Sequence, residues 1–197
     1  LLFGLARAQN ATAERHQLSD VVVILSRAFE YYAEAANVSQ AVAVAAFPIT
    51  GVAWLIPGRY ELIARALTLV PADSHEAGLL LSLYGGILGS SADYEGAQQA
   101  FRQAISIARR EGDVPLEVQT RTNVTVLSGQ QYHWQECADN EVRSIELATD
   151  QENAIRASCW WTAIGFLHLG DLEAGRPHAL FLGDLTEKRN TPRLYAN

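Results

Sequence analysis

The chain has 197 residues, 49% of them hydrophobic and 19% charged, and carries a net charge of −7. That balance excludes a disordered chain and leaves enough apolar residues to bury a core. With Lys188 as the only lysine and a pI near 5.2, the segment lacks the clustered cations that a phosphate backbone demands, so a nucleic-acid surface is excluded.

The first element is "LLFGLARAQ", an apolar helical pattern with no capping residue before it. At the other end "TPRLYAN" reads as the start of a further helix, and there is no Met, so both ends are expected to be cut from a longer protein. Next, "VVVILSRAFEYYAE" predicts a helix with Val21, Leu25, Ala28 and Phe29 on one face. From Ala35 to Gly58 no residue is charged. The longest apolar run there, Ala41 to Ile49, is too short to cross a bilayer, and Pro48, Thr50, Gly51 and Pro57 break up the rest. A buried helix and an irregular connection are expected, with no membrane contact. "RYELIARALTLVP" then supplies a helix with Ile63, Ala66 and Leu67 inward.

In "DSHEAGLLLSLYGGILGS", Asp73 and Glu76 have capping-box spacing. Leu81, Tyr84, Gly85 and Leu88 form one apolar face, and the glycines read as close helix packing. The stop is Gly89-Ser90-Ser91. In "DYEGAQQAFRQAISIARREGD", Asp93 is the expected cap, and Tyr94, Ala97, Phe101, Ala104, Ile105 and Ala108 fall three and four apart on one face. Gly112 ends that helix. So short a loop between two amphipathic helices makes them antiparallel neighbours. Further on, "HWQECADNEVRSIELA" places Cys137, Glu141 and Ser144 at the Ala97, Phe101 and Ala104 spacing, with Trp134 in the place of Tyr94. Glu141 is expected to reach solvent, since buried charge is costly. "DLEAGRPHALFLGDL" repeats the spacing with Gly175, Ala179 and Leu182, preceded by Leu172.

The equivalent anchors are residues 28, 66, 104, 144 and 182, in steps of 38, 38, 40 and 38. A steady step of this size marks a repeat array. The predicted fold is all-α: an α-solenoid of antiparallel helix pairs over residues 1–197, with units near 1–37, 38–73, 74–113, 114–151 and 152–190.

Leu81-x2-Tyr84-Gly85-x2-Leu88, with Tyr94 and Ala97-x3-Phe101-x2-Ala104 after it, resembles the tetratricopeptide repeat signature. The units depart from it in being longer than the usual length of about 34 residues. No Pro closes the unit after Ala104; Pro115 comes later. Pro48 and Pro57 interrupt the unit around Ala66, and Thr125, Ser128 and Glu141 stand where apolar residues belong. Longer, degenerate units of this kind, with phrases such as "YYAEAANVSQAVAVA", "PADSHEAGLLLSLYG" and "GDLEAG", are similar to the sensor arrays of large bacterial ATP-dependent transcription regulators. Those proteins add an N-terminal NTPase and a C-terminal LuxR-type helix-turn-helix, and neither motif lies within these residues.

The resemblance implies a concave groove lined by the first helix of each pair. On this chain those positions are Ser82, Gly86 and Ser90, then Gln119, Thr122, Asn123, Val126 and Gln130, then Ala157, Trp160, Ile164 and His168. They contain no Lys or Arg, which argues against a clamp for a peptide carboxylate. A neutral polar surface with an aromatic end suits a protein or apolar peptide, a small-molecule effector, or a neighbouring domain of the same chain. Trp160 and Trp161 point about 100° apart on a helix, so one faces the stack if the other faces the groove. His168, near a helix end, also suits a dipole partner.

His133 and Cys137 with Cys159 would be three soft zinc ligands, but without a close-spaced Cys pair the expected state is two free thiols, with no metal and no cofactor. The sequons at Asn10, Asn37 and Asn123 are expected to be fortuitous. No nucleophile elbow, zinc-protease motif or phosphate loop is present, so no catalytic residue is assigned and the segment is not expected to be an enzyme. A cytoplasmic binding module in a transcription regulator, a general interaction scaffold and a regulatory array on an enzyme such as a nucleotide cyclase all remain open on the sequence.

Overall fold

The computed structural model describes the backbone of residues 1–49, 56–147 and 163–189, and their side chains except Arg15 and residues 181–189. Every regular element among the described residues is helical. These are α1 (Leu2–Thr12), a 3-10 turn (Arg15–Gln17), α2 (Leu18–Glu34), α3 (Val38–Ala45), α4 (Arg59–Leu67), α5 (His75–Ser90), α6 (Tyr94–Glu111), α7 (Val114–Gln130), α8 (Trp134–Leu147), α9 (the helical residues 163–169) and α10 (Leu172–Arg189). The fold is all-α, and none of these helices is long and apolar enough to cross a membrane. The chain divides into two compact units, Leu1–Glu111 and Gly112–Asn197.

In the first unit α2 buries Val21, Leu25, Ala28 and Phe29, the face its spacing predicts. Against them lie Ala41 and Val44 of α3, Ile63 and Ala66 of α4, and Leu80 of α5. Asn37 caps α3, its Oδ1 accepting from Gln40 N at 3.2 Å, and α3 ends before Pro48. The Arg65 guanidinium of α4 pairs with Glu30 of α2 at the exposed rim. Both described ends of the connection between α3 and α4 are pinned. Asn10 Nδ2 donates to Pro48 O at 3.4 Å, Phe3 meets Phe47 edge-on, and Ile56 joins Leu18 and Val22.

α5 departs from expectation in two ways. Its cap is Ser74, whose Oγ accepts from Ala77 N at 3.1 Å, in place of the Asp73–Glu76 box. It is also buried on more than one side: Ala77, Leu80, Ser82, Gly85, Gly86 and Ile87 are all covered, while Leu81, Tyr84 and Leu88 are only half-buried. The reason is that α5 packs on α3 and α4 as well as on α6. On α6, Ala97, Phe101, Ala104 and Ala108 are buried as their spacing requires, but Ile105 is half-buried and Tyr94 exposed. Gln103 Nε2 donates to Ala72 O at 2.9 Å and the Arg110 guanidinium donates to Asp73 O, so the later turns of α6 lie beside the start of α5. The pair is antiparallel. A Cβ on Gly85 would stand 2.6 Å from the Phe101 ring, so this glycine is where the two helices close on each other.

In the second unit Asp113 caps α7, accepting from Leu116 N at 3.0 Å, with Pro115 in the first turn where its missing N–H is harmless. α7 packs on α8, and a Cβ on Gly165 of α9 would be in ordinary contact with Trp134 O and Cys137 Sγ of α8.

Four helix C-termini share one hydrogen-bond pattern: at the end of α2, Asn37 N donates to Tyr32 O at 2.8 Å after left-handed Ala36 (φ 53°), and the turns into α6, α8 and α10 repeat it. Asp93 N donates to Leu88 O at 2.9 Å, His133 N to Ser128 O at 2.9 Å, and Asp171 N to Phe166 O at 3.0 Å. The residue before each donor is left-handed: Ala92 (φ 67°), Tyr132 (φ 63°) and Gly170 (φ 77°). Each is a helix C-terminus in which a six-to-one bond satisfies an orphan carbonyl. Asp93 and Asp171 then cap the next helix through Oδ1, accepting from Gly96 N and Ala174 N at 3.0 Å.

Candidate functional site

Among the described residues of the second unit, the buried polar side chains are on α7 and α8. α7 carries Thr120, Thr122 and Thr125 in its interior, and two of them satisfy themselves: Thr120 Oγ1 donates to Leu116 O at 2.7 Å and Thr122 Oγ1 to Val118 O at 3.0 Å. Such back-bonds let a hydroxyl enter a helix interface without an orphaned donor. Glu117 and Arg121, one turn apart, form an ion pair at 2.9 Å with both side chains nearly covered. Arg121 Nη1 donates onward to Asn140 Oδ1 at 2.9 Å, and Asn140 Nδ2 donates to Glu136 O at 3.0 Å. Ser128 Oγ donates to Glu136 at 2.8 Å, with His133 Nδ1 at 3.9 Å from the same carboxylate. Charged groups in such a setting are held in place by their partners more than they are free to react.

Glu141 is fully buried, against the expectation that it reaches solvent; α8 turns the Cys137, Glu141 and Ser144 stripe inward as one face. Burial, with the neighbouring charges of Glu141 and Glu136, pushes the Cys137 thiol up from 9.0 to about 12. It is therefore a neutral, unreactive thiol at neutral pH. Among the described residues no three His, Cys, Asp or Glu side chains are grouped to hold a metal, and Cys159 of the sequence-derived trio lies outside them.

The groove positions expected from the sequence fall in both units. Ser82 and Gly86 are buried in α5, in the first unit. Gln119 and Asn123 come together on α7, where Gln119 Nε2 donates to Asn123 Oδ1 at 3.2 Å; Gln119 is exposed and Asn123 is 4% exposed. Thr122 is buried, Gln130 is exposed at the end of α7, and Ile164 is half-buried on α9. His168 is exposed and lies flat on Trp134, with centroids 4.3 Å apart and planes 1° from parallel. Tyr132, 75% exposed, meets the same Trp134 edge-on. Trp160 and Ala157 lie outside the described residues. The sequence singles out His168 but not its partner, since Trp134 reads there only as the counterpart of Tyr94.

Of the sequon residues, Asn10 and Asn123 are buried, while Asn37 is exposed and uses its Oδ1 to cap α3. No family model matches the chain, and no match is found among curated proteins.

Proposed function

We propose that the chain is a helical-repeat binding module, an α-solenoid of the tetratricopeptide type, and that it forms the sensor or interaction region of a bacterial transcription regulator. The observation that supports the repeat is the shared turn. The left-handed residues 92, 132 and 170, each before the second helix of a pair, are 40 and 38 residues apart, and each has the same bond from the next N–H back into the helix before it; a fourth such turn, at Ala36 between α2 and α3, falls outside this spacing. These intervals equal those between the anchor positions 104, 144 and 182. In such an array the surface offered to a partner in the second unit is the exposed amide of Gln119, the end of α7 at Gln130, and the Tyr132–Trp134–His168 aromatic cluster. It is neutral, with aromatic faces for an apolar peptide or a small effector and amides to orient it. No catalytic role is assigned.

Sequencing the gene through both flanks tests the regulatory part. A G-x-x-x-x-G-K-[ST] segment upstream and a basic helix-turn-helix downstream support it. Flanks holding only further helix pairs leave an interaction scaffold and remove the transcriptional role.

A further inference from the structure

Arg59 is the only ionised side chain buried among the described residues of the first unit, at 5% exposure. Its Nη2 donates to Phe47 O at 2.8 Å, while Nη1 is covered and has no hydrogen-bond partner. Among the described residues no carboxylate offsets the burial; desolvation pushes the guanidinium down to about 10, which leaves it charged at neutral pH. The connection before it cannot supply a counter-charge either, since residues 35–58 contain no acidic side chain. A buried charge without a partner is among the costliest features a fold holds. Bracing one backbone carbonyl does not account for it, because a neutral amide donor would serve. Arg59 also opens α4, whose cap, Gly58, has no side chain to occupy the positive end of the helix.

We propose that Arg59 anchors a binding site for a small aliphatic carboxylic acid. The ligand carboxylate takes the Nη1 hydrogens, and its hydrocarbon body lies among the apolar side chains that Phe47, Ile49 and Ile56 contribute to this end of the unit. One guanidinium with one open donor group balances one carboxylate. A phosphate dianion brings a second charge for which no second cation stands ready. Because Nη1 is covered, binding displaces a neighbour, so it saturates and is slower than exchange at a surface charge. The proposal does not depend on the groove.

The test is a titration of the 15N-labelled 197-residue chain with butyrate, tracking the Arg59 Nε–H signal and the melting temperature. Butyramide at equal concentration, sodium chloride at equal ionic strength and inorganic phosphate are the controls. Butyrate is expected to shift the Arg59 signal saturably and to raise the melting temperature, while all three controls leave both unchanged. Arg59→Gln, which keeps a donor for Phe47 O, is expected to abolish the thermal shift. An Arg59 signal that does not move with butyrate, or that moves equally with butyramide, chloride or phosphate, overturns the proposal. If Arg59→Gln does not fold, the wild-type titration decides alone.

Discussion

Gly85 and Phe101 show how one missing carbon sets a helix–helix distance. A methyl at residue 85 would lie 2.6 Å from a buried aromatic ring. Gly85→Ala gains about 1 kcal/mol of helix propensity but forces the ring to move, at about 1–3 kcal/mol. A net loss of stability is expected in urea melts, and shortening the ring with Phe101→Leu should reduce the penalty of Gly85→Ala. The left-handed Ala92 carries the opposite strain, since its Cβ costs about 1–2 kcal/mol in that region. Gly170 holds the equivalent place in a later turn without that cost. Ala92→Gly is expected to raise stability by up to about 1 kcal/mol, the gain being trimmed by the added freedom of the unfolded chain. Cys137 yields a pH dependence. Its thiol ionises near 9.0 when unfolded and near 12 when folded, so the contribution is fully present below pH 9 and is lost as pH climbs from there toward 12. Denaturant midpoints should fall across that window in wild type and fall less in Cys137→Ala.

Single elements differ in how openly the sequence declares them. α6 is legible because it meets its partner on one side, and a one-sided helix writes its contact as a three-and-four spacing. Ala97, Phe101 and Ala104 lie where that spacing puts them. Phe101→Ala is expected to destabilise by about 3–5 kcal/mol and Ala104→Leu by about 1–3 kcal/mol, both read as midpoint shifts. α5 is less legible because it packs on several neighbours, and a helix covered on several sides loses its periodic signal. α8 hides Glu141 for another reason: burying a carboxylate is costly but not forbidden, and the stripe that also contains Cys137 and Ser144 overrides that cost. The stops at Gly112 and Gly170 are visible in their residue type, whereas Ala36, Ala92 and Tyr132 adopt the same conformation without glycine. Of the candidate site, the Gln119–Asn123 pair and His168 can be named from the sequence. Trp134 under His168, and the buried guanidinium of Arg59, arise from contacts between residues distant in the chain and leave no local pattern.

At the scale of the molecule, the two compact units have different interiors. Leu1–Glu111 is held mainly by aliphatic and aromatic packing, and the α7–α8 interface adds the Glu117–Arg121–Asn140 and Ser128–Glu136 contacts. Two such units are expected to melt as more than one cooperative step, with a calorimetric enthalpy above the van't Hoff value. Phe101→Ala should lower one step and leave the other in place; a single transition that moves as a whole contradicts that expectation. The shared turn reaches beyond stability. α5 and α6 are joined by only Ser91, Ala92 and Asp93, and the bonds that close the turn span few residues. Such a hairpin needs nothing that has not already left the ribosome, so it is able to form while later helices are still being synthesised. Pauses in translation placed just after a turn would then cost little, whereas a pause inside the connection between α3 and α4 would leave the cluster of α2 and α3 without Ile63, Ala66 and Leu80 for as long as it lasts.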